Sequence, residues 1–136
     1  MGLQTVTWLL DGEIVRDDSL QNESVLHSGG VNVMTSGHAI AHAERTPLRN
    51  SGRLNGVQLW TALPDQHRDR AASFQHVPEA PVLELPGGMA HVFAGRCGET
   101  VSPSEHFSGR PYACPGLRLF CRDHSLSLQS SPPLCS

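Results

Sequence analysis

The chain contains no lysine: its ten basic residues are all arginine, and they are scattered from Arg16 to Arg122 without a basic stripe. Aromatic residues make up only 5% of the sequence, so few side chains could stack on bases. Nucleic-acid-binding proteins usually carry a clustered basic patch, often with aromatic residues between the charges. The composition therefore gives no support for nucleic acid as a partner.

No apolar run approaches the roughly 20 residues that a membrane-spanning helix needs, so no membrane partner is expected. The first residues, MGLQTVTW, contain no basic region and no cleavage-like site, which predicts no secretory signal and a cytoplasmic location by default. The cysteines form no C-x-x-C pair, which disfavours structural zinc, and a missing export signal disfavours disulfides. Free thiols are the expectation for Cys97, Cys114, Cys121 and Cys135.

Short β-type segments between glycine and proline turns dominate the first hundred residues. The 136 residues, with 13 glycines, 10 prolines and a net charge of -3, are typical of one loop-rich β domain. Asp11-Gly12 predicts a hairpin, and Trp8 and Trp60 are predicted core residues. Period-two patterns predict strands over residues 3–10, 31–35, 56–63, 81–85 and 89–94.

One stretch, VNVMTSGHAIAHAERTP over residues 31–47, carries the functional hypothesis. His42 and Glu44 are two residues apart in a predicted strand, so their side chains would project from the same face. An imidazole and a carboxylate that converge in this way form half of a first-row metal site. The same two side chains could instead form a hydrogen-bonded pair or face solvent.

A helical interpretation of this stretch is the main alternative, because every second residue around His42 is alanine, a good helix former. His38 and His42 would then lie one turn apart and could chelate zinc. Gly37 and the β-like neighbouring sequence disfavour the helix. No H-E-x-x-H motif supplies a catalytic glutamate.

The remaining chemistry-bearing residues give weaker signals. Neither Ser36 nor Cys97 has an elbow motif or a base partner, so no nucleophile is assigned. Substitute metal ligands are improbable among the other histidines, of which His91 is the least improbable because it lies in a predicted strand. These histidines include His27, His67, His76, His91 and His106.

Residues 2 to about 104 resemble the pirin family of the cupin superfamily. The resemblance rests on GLQTVTWLLDGEIV, DSLQN, VNVMTSGHAIAHAERTP and LNGVQLWTALP, with weaker support from HVFAG and VSP. It implies an all-β fold, here an incomplete cupin (jelly-roll-like) barrel over residues 1–108. An irregular, flexible tail is expected over residues 109–136. Pirins are similar to one another in having two such barrels, with a metal, usually iron, in the first.

The resemblance also implies a ligand set of three histidines and one glutamate. His42 and Glu44 match the last two ligands, whereas the first two form a His-x-His pair just upstream of the segment that is Gly2 to Val6 here. By this alignment the sequence begins one position after the second of those histidines. This predicts a truncated N-terminal domain that lacks its first strand and has an incomplete metal site.

The activity that the resemblance implies is Fe(II)-dependent, quercetin 2,3-dioxygenase-type oxidation of a flavonol-like substrate. Glu44 would serve as a metal ligand and also as the catalytic proton acceptor. Whether the chain is an enzyme stays open, because half of the ligands are absent. One alternative is a non-enzymatic protein, similar to the pirins that act as transcription cofactors, that binds a protein partner through an exposed strand edge. Another is a non-functional gene fragment.

Overall fold

The structure is a computed structural model that describes residues 2–86, 88–105, 118–122 and 125–129, the last two ranges as backbone only. Within these ranges it contains no α-helix, only a short 3-10 helix at Asp65–His67, and the prediction of an all-β protein is confirmed. The strands are β1 (Leu3–Asp11), β2 (Ile14–Asp18), β3 (Glu23–Leu26), β4 (Val31–Thr35), β5 (His42–Arg45), β6 (Asn55–Ala62), β7 (Ser73–Val77), β8 (Val82–Leu85), β9 (Gly88–His91), β10 (Arg96–Cys97), β11 (Thr100–Val101), β12 (Arg118–Arg122) and β13 (Ser125–Gln129).

The described strands form four sheets, and all of their pairings are antiparallel. The central sheet has the order β6-β1-β4-β7, and the sheet that bears the candidate site has the order β3-β2-β5. A second four-stranded sheet has the order β13-β12-β9-β8, and β10 and β11 form a small ribbon. Over the described residues the sheets do not close, so the fold is an incomplete cupin barrel, as predicted.

One face of the central sheet forms the hydrophobic core. Alternate residues of β1 and β4 point to this face, where Val6 and Val33 are opposite each other in the register. Trp8 is 1% exposed and stacks on Phe93, with the ring centroids 5.8 Å apart. Burial of these apolar side chains, each worth about 1.5–3 kcal/mol, stabilises the sheet.

The two tryptophans differ, although both lie in strands of the same sheet. Trp8 is a core residue, as predicted, but Trp60 is 64% exposed, so the prediction for Trp60 is wrong. Trp60 is paired with Thr5, whose neighbour Val6 lies in the core, and β6 is at the edge of the sheet. The pattern of β6 alone could not show which face the core would cover.

The predicted hairpin at Asp11-Gly12 is also wrong. β1 pairs with β4 and β6, whereas β2 pairs with β3 and β5, so this turn passes the chain from one sheet to another. Gly12 has a φ of +94°, the left-handed conformation that the motif indicates, and a Cβ there would clash with the backbone of Arg53. The local turn chemistry was correct, but the partner of β1 is set by long-range pairing with β6.

Two further predictions concern the C-terminal part of the chain. The strands predicted over residues 81–85 and 89–94 correspond to β8 and β9, which form a hairpin in which Leu85 pairs with Gly88. The predicted tail, residues 109–136, lies mostly outside the described residues. Within it, β12 and β13 pair with each other, and β12 pairs with β9. Cys97 is buried with a free thiol, as predicted.

Candidate metal centre on the β2–β5 strand pair

The predicted ligands His42 and Glu44 both lie in β5, which pairs with β2. Asp18 is directly opposite His42, and Arg16 is directly opposite Glu44. Paired residues of antiparallel strands project to the same side, so these four side chains belong to one face. The helical alternative is wrong, because His42 begins a strand and His38 precedes it in a turn.

Arg16 is the most constrained residue of this face. It is only 2% exposed, and its Nη1 donates to Asp18 Oδ2 over 2.7 Å. The guanidinium carbon lies 4.1 Å from the centroid of the Phe74 ring, a cation–π contact. Its Nε lies 3.9 Å from Glu44 Oε1, close enough for an ion pair but not for a hydrogen bond. The positive charge therefore lies between two carboxylates.

Asp18 is held by the turn that follows β2. Its Oδ1 accepts hydrogen bonds from the backbone N–H groups of Leu20 (2.9 Å) and Asn22 (3.2 Å) and from the Asn22 side chain. Gln21 in this turn has a φ of +64°, a left-handed conformation. Burial favours the neutral acid, but the hydrogen bonds from Arg16 and Asn22 outweigh it and lower the pKa of Asp18. Asp18 is thus an ionised carboxylate whose oxygens are already occupied by donors.

The fit of this face to an iron ion can be judged from its donors. His42 and Glu44 are exposed on β5, and Asp18 already accepts hydrogen bonds from the turn that follows β2. No group of three or more His, Cys, Asp or Glu side chains in the described ranges could hold a metal ion. Non-haem iron sites of this kind use at least three protein ligands. His42 and Glu44 therefore do not fit iron by themselves.

Within the described ranges, the other histidines do not complete the set. His76 contacts Asn32 Oδ1 through Nδ1 over 2.8 Å, and burial, with a smaller effect of His27, lowers the pKa of His76. His27 itself contacts Glu13 over 3.0 Å. His76 and Asn32 lie in neighbouring strands of the central sheet, whereas His27 and Glu13 lie just outside the strands β3 and β2. His106 lies outside the described residues.

His91, the least improbable substitute, lies in β9 and packs against Trp8, with ring centroids 5.2 Å apart. Burial lowers the pKa of His91, and the charge of Glu79 opposes this effect. Its Nδ1 is buried and has no hydrogen-bond partner in the described part of the chain. His91 is therefore a half-buried histidine that packs against a core tryptophan, and it is not a member of the β5 site.

Sequence reasoning missed the roles of Arg16 and Asp18. The two residues are separated by one position on a strand, so period two places them on one face, and that signal was available. Their proximity to Glu44 depends on the β2–β5 pairing, which joins residues far apart in sequence. Arg45, in contrast, lies at an exposed strand end and pairs with Asp17 across the same two strands.

Comparison with solved structures identifies the fold class. A quercetin 2,3-dioxygenase from Acinetobacter baumannii is similar over 79% of this chain and 36% of its own, with a TM-score of 0.76 and 38% identity. The class is that of the cupin proteins. A family model described as "Pirin" matches residues 1–61, so this part of the chain belongs to the pirin family.

Relatives in sequence agree with this assignment. A Pseudomonas aeruginosa protein named "Putative quercetin 2,3-dioxygenase" is 39% identical over 125 residues, which covers 92% of this chain and 38% of the relative. A "Pirin-like protein" from Caulobacter vibrioides is 40% identical over 100 residues, 70% of this chain and 35% of the relative. The chain spans less than two fifths of the length of these relatives.

Among the described residues, no helix has the length and hydrophobicity of a membrane span.

Proposed function

We propose that this chain is a pirin-type cupin derived from an Fe(II)-dependent flavonol dioxygenase, with a metal site that the described residues fill only in part. The observation that supports it is the placement of His42 and Glu44 side by side on one strand of a pirin-family chain. The names of the relatives support a flavonol such as quercetin as the substrate class. A domain boundary near residue 108 and a cytoplasmic location stay predictions.

The two proposed ligands would have different roles. His42 would contribute a neutral imidazole, and Glu44 a carboxylate that could also accept the proton of a bound flavonol. Iron would supply the redox chemistry, but a pair of ligands does not fit it, and these two residues by themselves support no step of the oxidation. We expect this chain alone to oxidise quercetin poorly or not at all.

Metal titration tests this proposal directly. Fe(II) or Co(II) is titrated into the chain and into a version extended at its N-terminus by the His-x-His pair that the family resemblance places upstream of Gly2. We expect the extension to tighten metal binding by at least about 100-fold, because it adds two direct ligands. Mutation of only the outer hydrogen-bond partners of metal ligands typically lowers metal affinity by about 10–100-fold. His42→Ala in the extended chain should abolish binding.

Two results would contradict the proposal. One is tight binding of a full equivalent of Fe(II) by the unextended chain, lost in His42→Ala. The other is aerobic loss of quercetin, followed by absorbance, that exceeds an iron-only blank in the unextended chain. Either result would mean that the described residues already form a competent site.

A non-enzymatic interaction role is the second candidate, and the exposed edge of the central sheet favours it. β6 is an edge strand of this sheet, and it carries Trp60 at 64% exposure, with Leu54 at 55% just before it. An exposed strand edge can pair with a strand of a partner or of a second copy. Size-exclusion chromatography over a range of concentrations tests this role, and a monomer at every concentration would count against it.

A further inference from the structure

A buried positive charge lies beside one of the proposed metal ligands. Arg16 is 2% exposed, and its Nε is 3.9 Å from Glu44 Oε1. We infer that Arg16 is an internal counter-cation that lowers the affinity of the His42–Glu44 pair for a divalent metal ion. This inference rests on the proposed function, since it concerns the same two ligands.

The guanidinium cannot easily move away from Glu44. Its Nη1 donates to Asp18 over 2.7 Å, and its central carbon lies 4.1 Å from the centroid of the Phe74 ring. Asp18 is in turn tied to the turn residues Leu20 and Asn22. A metal ion bound to Glu44 would therefore be placed close to a fixed positive charge.

Arg16 also competes for the carboxylate itself. Its Nη2 is buried and has no hydrogen-bond partner within the described residues. A buried donor without a partner costs free energy, so a small movement of Glu44 toward Arg16 would be favourable. Glu44 would then have to give up this interaction before it could bind a metal ion. Arg16 is buried, so water screens its charge less than the charge of a surface side chain, although Glu44 itself is exposed.

The same strand pair provides a matched control. Arg45 is next to Glu44 in sequence, but it projects to the other face and pairs with Asp17 Oδ2 over 2.7 Å. The side chains of Arg45 and Asp17 are 53% and 40% exposed, so solvent screens their charges. Removing Arg45 changes the net charge by the same amount as removing Arg16, but it removes no charge from the face that bears Glu44.

The experiment measures Co(II) affinity, through the visible absorption of bound Co(II), in the chain and in its His-x-His extended version. The variants are Arg16→Met, Arg45→Met, His42→Ala and the double variant Arg16→Met/Asp18→Asn. We expect Arg16→Met to bind Co(II) about tenfold more tightly or better, and Arg45→Met to match its parent. The double variant removes the buried pair as a unit, and it replaces Arg16→Met if thermal melting shows that the single variant is unfolded.

The outcomes separate the two claims. If, in the extended version, His42→Ala binds Co(II) as well as its parent, the proposed function fails. If binding depends on His42 but the Arg16 variants bind no more tightly than their parent, the inference about Arg16 fails and the proposed function stands. Equal gains in Arg16→Met and Arg45→Met would also overturn it, because the effect would then be one of net charge.

Discussion

The two faces of the β2–β5 pair carry the same chemistry in different surroundings. Each face has one arginine paired with one aspartate, Arg16 with Asp18 and Arg45 with Asp17. The side chains of the first pair are 2% and 0% exposed, whereas those of the second are 53% and 40% exposed. The strand face and its burial, rather than the type of residue, decide which pair acts on the proposed site.

The two pairs therefore contribute differently to the stability of the fold. An exposed ion pair gains little, because water and salt screen it and two long side chains lose freedom. A buried pair costs desolvation when it forms, but removing one partner leaves an uncompensated charge in the interior. The inner pair is therefore a poor source of net stability and, at the same time, a site where a single substitution is costly.

The largest expected effect is that of Arg16→Ala. It should lower the free energy of unfolding by about 3–5 kcal/mol, because Asp18 loses its buried partner and Phe74 loses a packing surface. Urea denaturation measures the change. Arg45→Ala is the matched variant on the outer face and should have little effect. Equal losses in the two variants would mean that the two faces do not differ as described.

A smaller effect should appear in acid. The pKa of Asp18 is lowered from its ordinary value of 3.8, so its stabilising contribution is full above that value and is lost as the pH falls through the folded-state pKa. Asp18→Asn should therefore flatten the dependence of unfolding free energy on pH below about pH 4. Asp17→Asn serves as the control from the outer face. If Asp18→Asn left the pH dependence of the unfolding free energy unchanged, the inner aspartate would not differ from the outer one as described.

The smallest effect on stability should come from substitution of His91, which lies in a different sheet. Burial lowers its pKa from the ordinary value of 6.5, so the unfolded chain binds the proton more readily than the folded chain. Stability should therefore be full above about pH 6.5 and decline as the pH falls below it. His91→Gln should reduce this slope, as followed by thermal melting at several pH values. A slope unaffected by the substitution would show that His91 does not contribute.

Local sequence patterns predicted much of the fold but little of the candidate site. The alternation around Val6 and Val33 predicted strands correctly, because period two is a property of each strand alone. The partner of β1 and the exposure of Trp60 depend on pairing with distant strands, and both predictions about them were wrong. The spacing of His42 and Glu44 placed them on one face, but only the structure reveals the guanidinium beside Glu44.

The turn after β2 has a consequence for the order of assembly. All of its hydrogen bonds with Asp18 join residues between Arg16 and Asn22, so closing it costs little chain entropy. We expect this turn to form early and to place the arginine before β5 arrives. Early protection of the Leu20 amide in pulsed hydrogen exchange would report this order. The strand with the proposed ligands would then dock onto a surface whose charges are already in place.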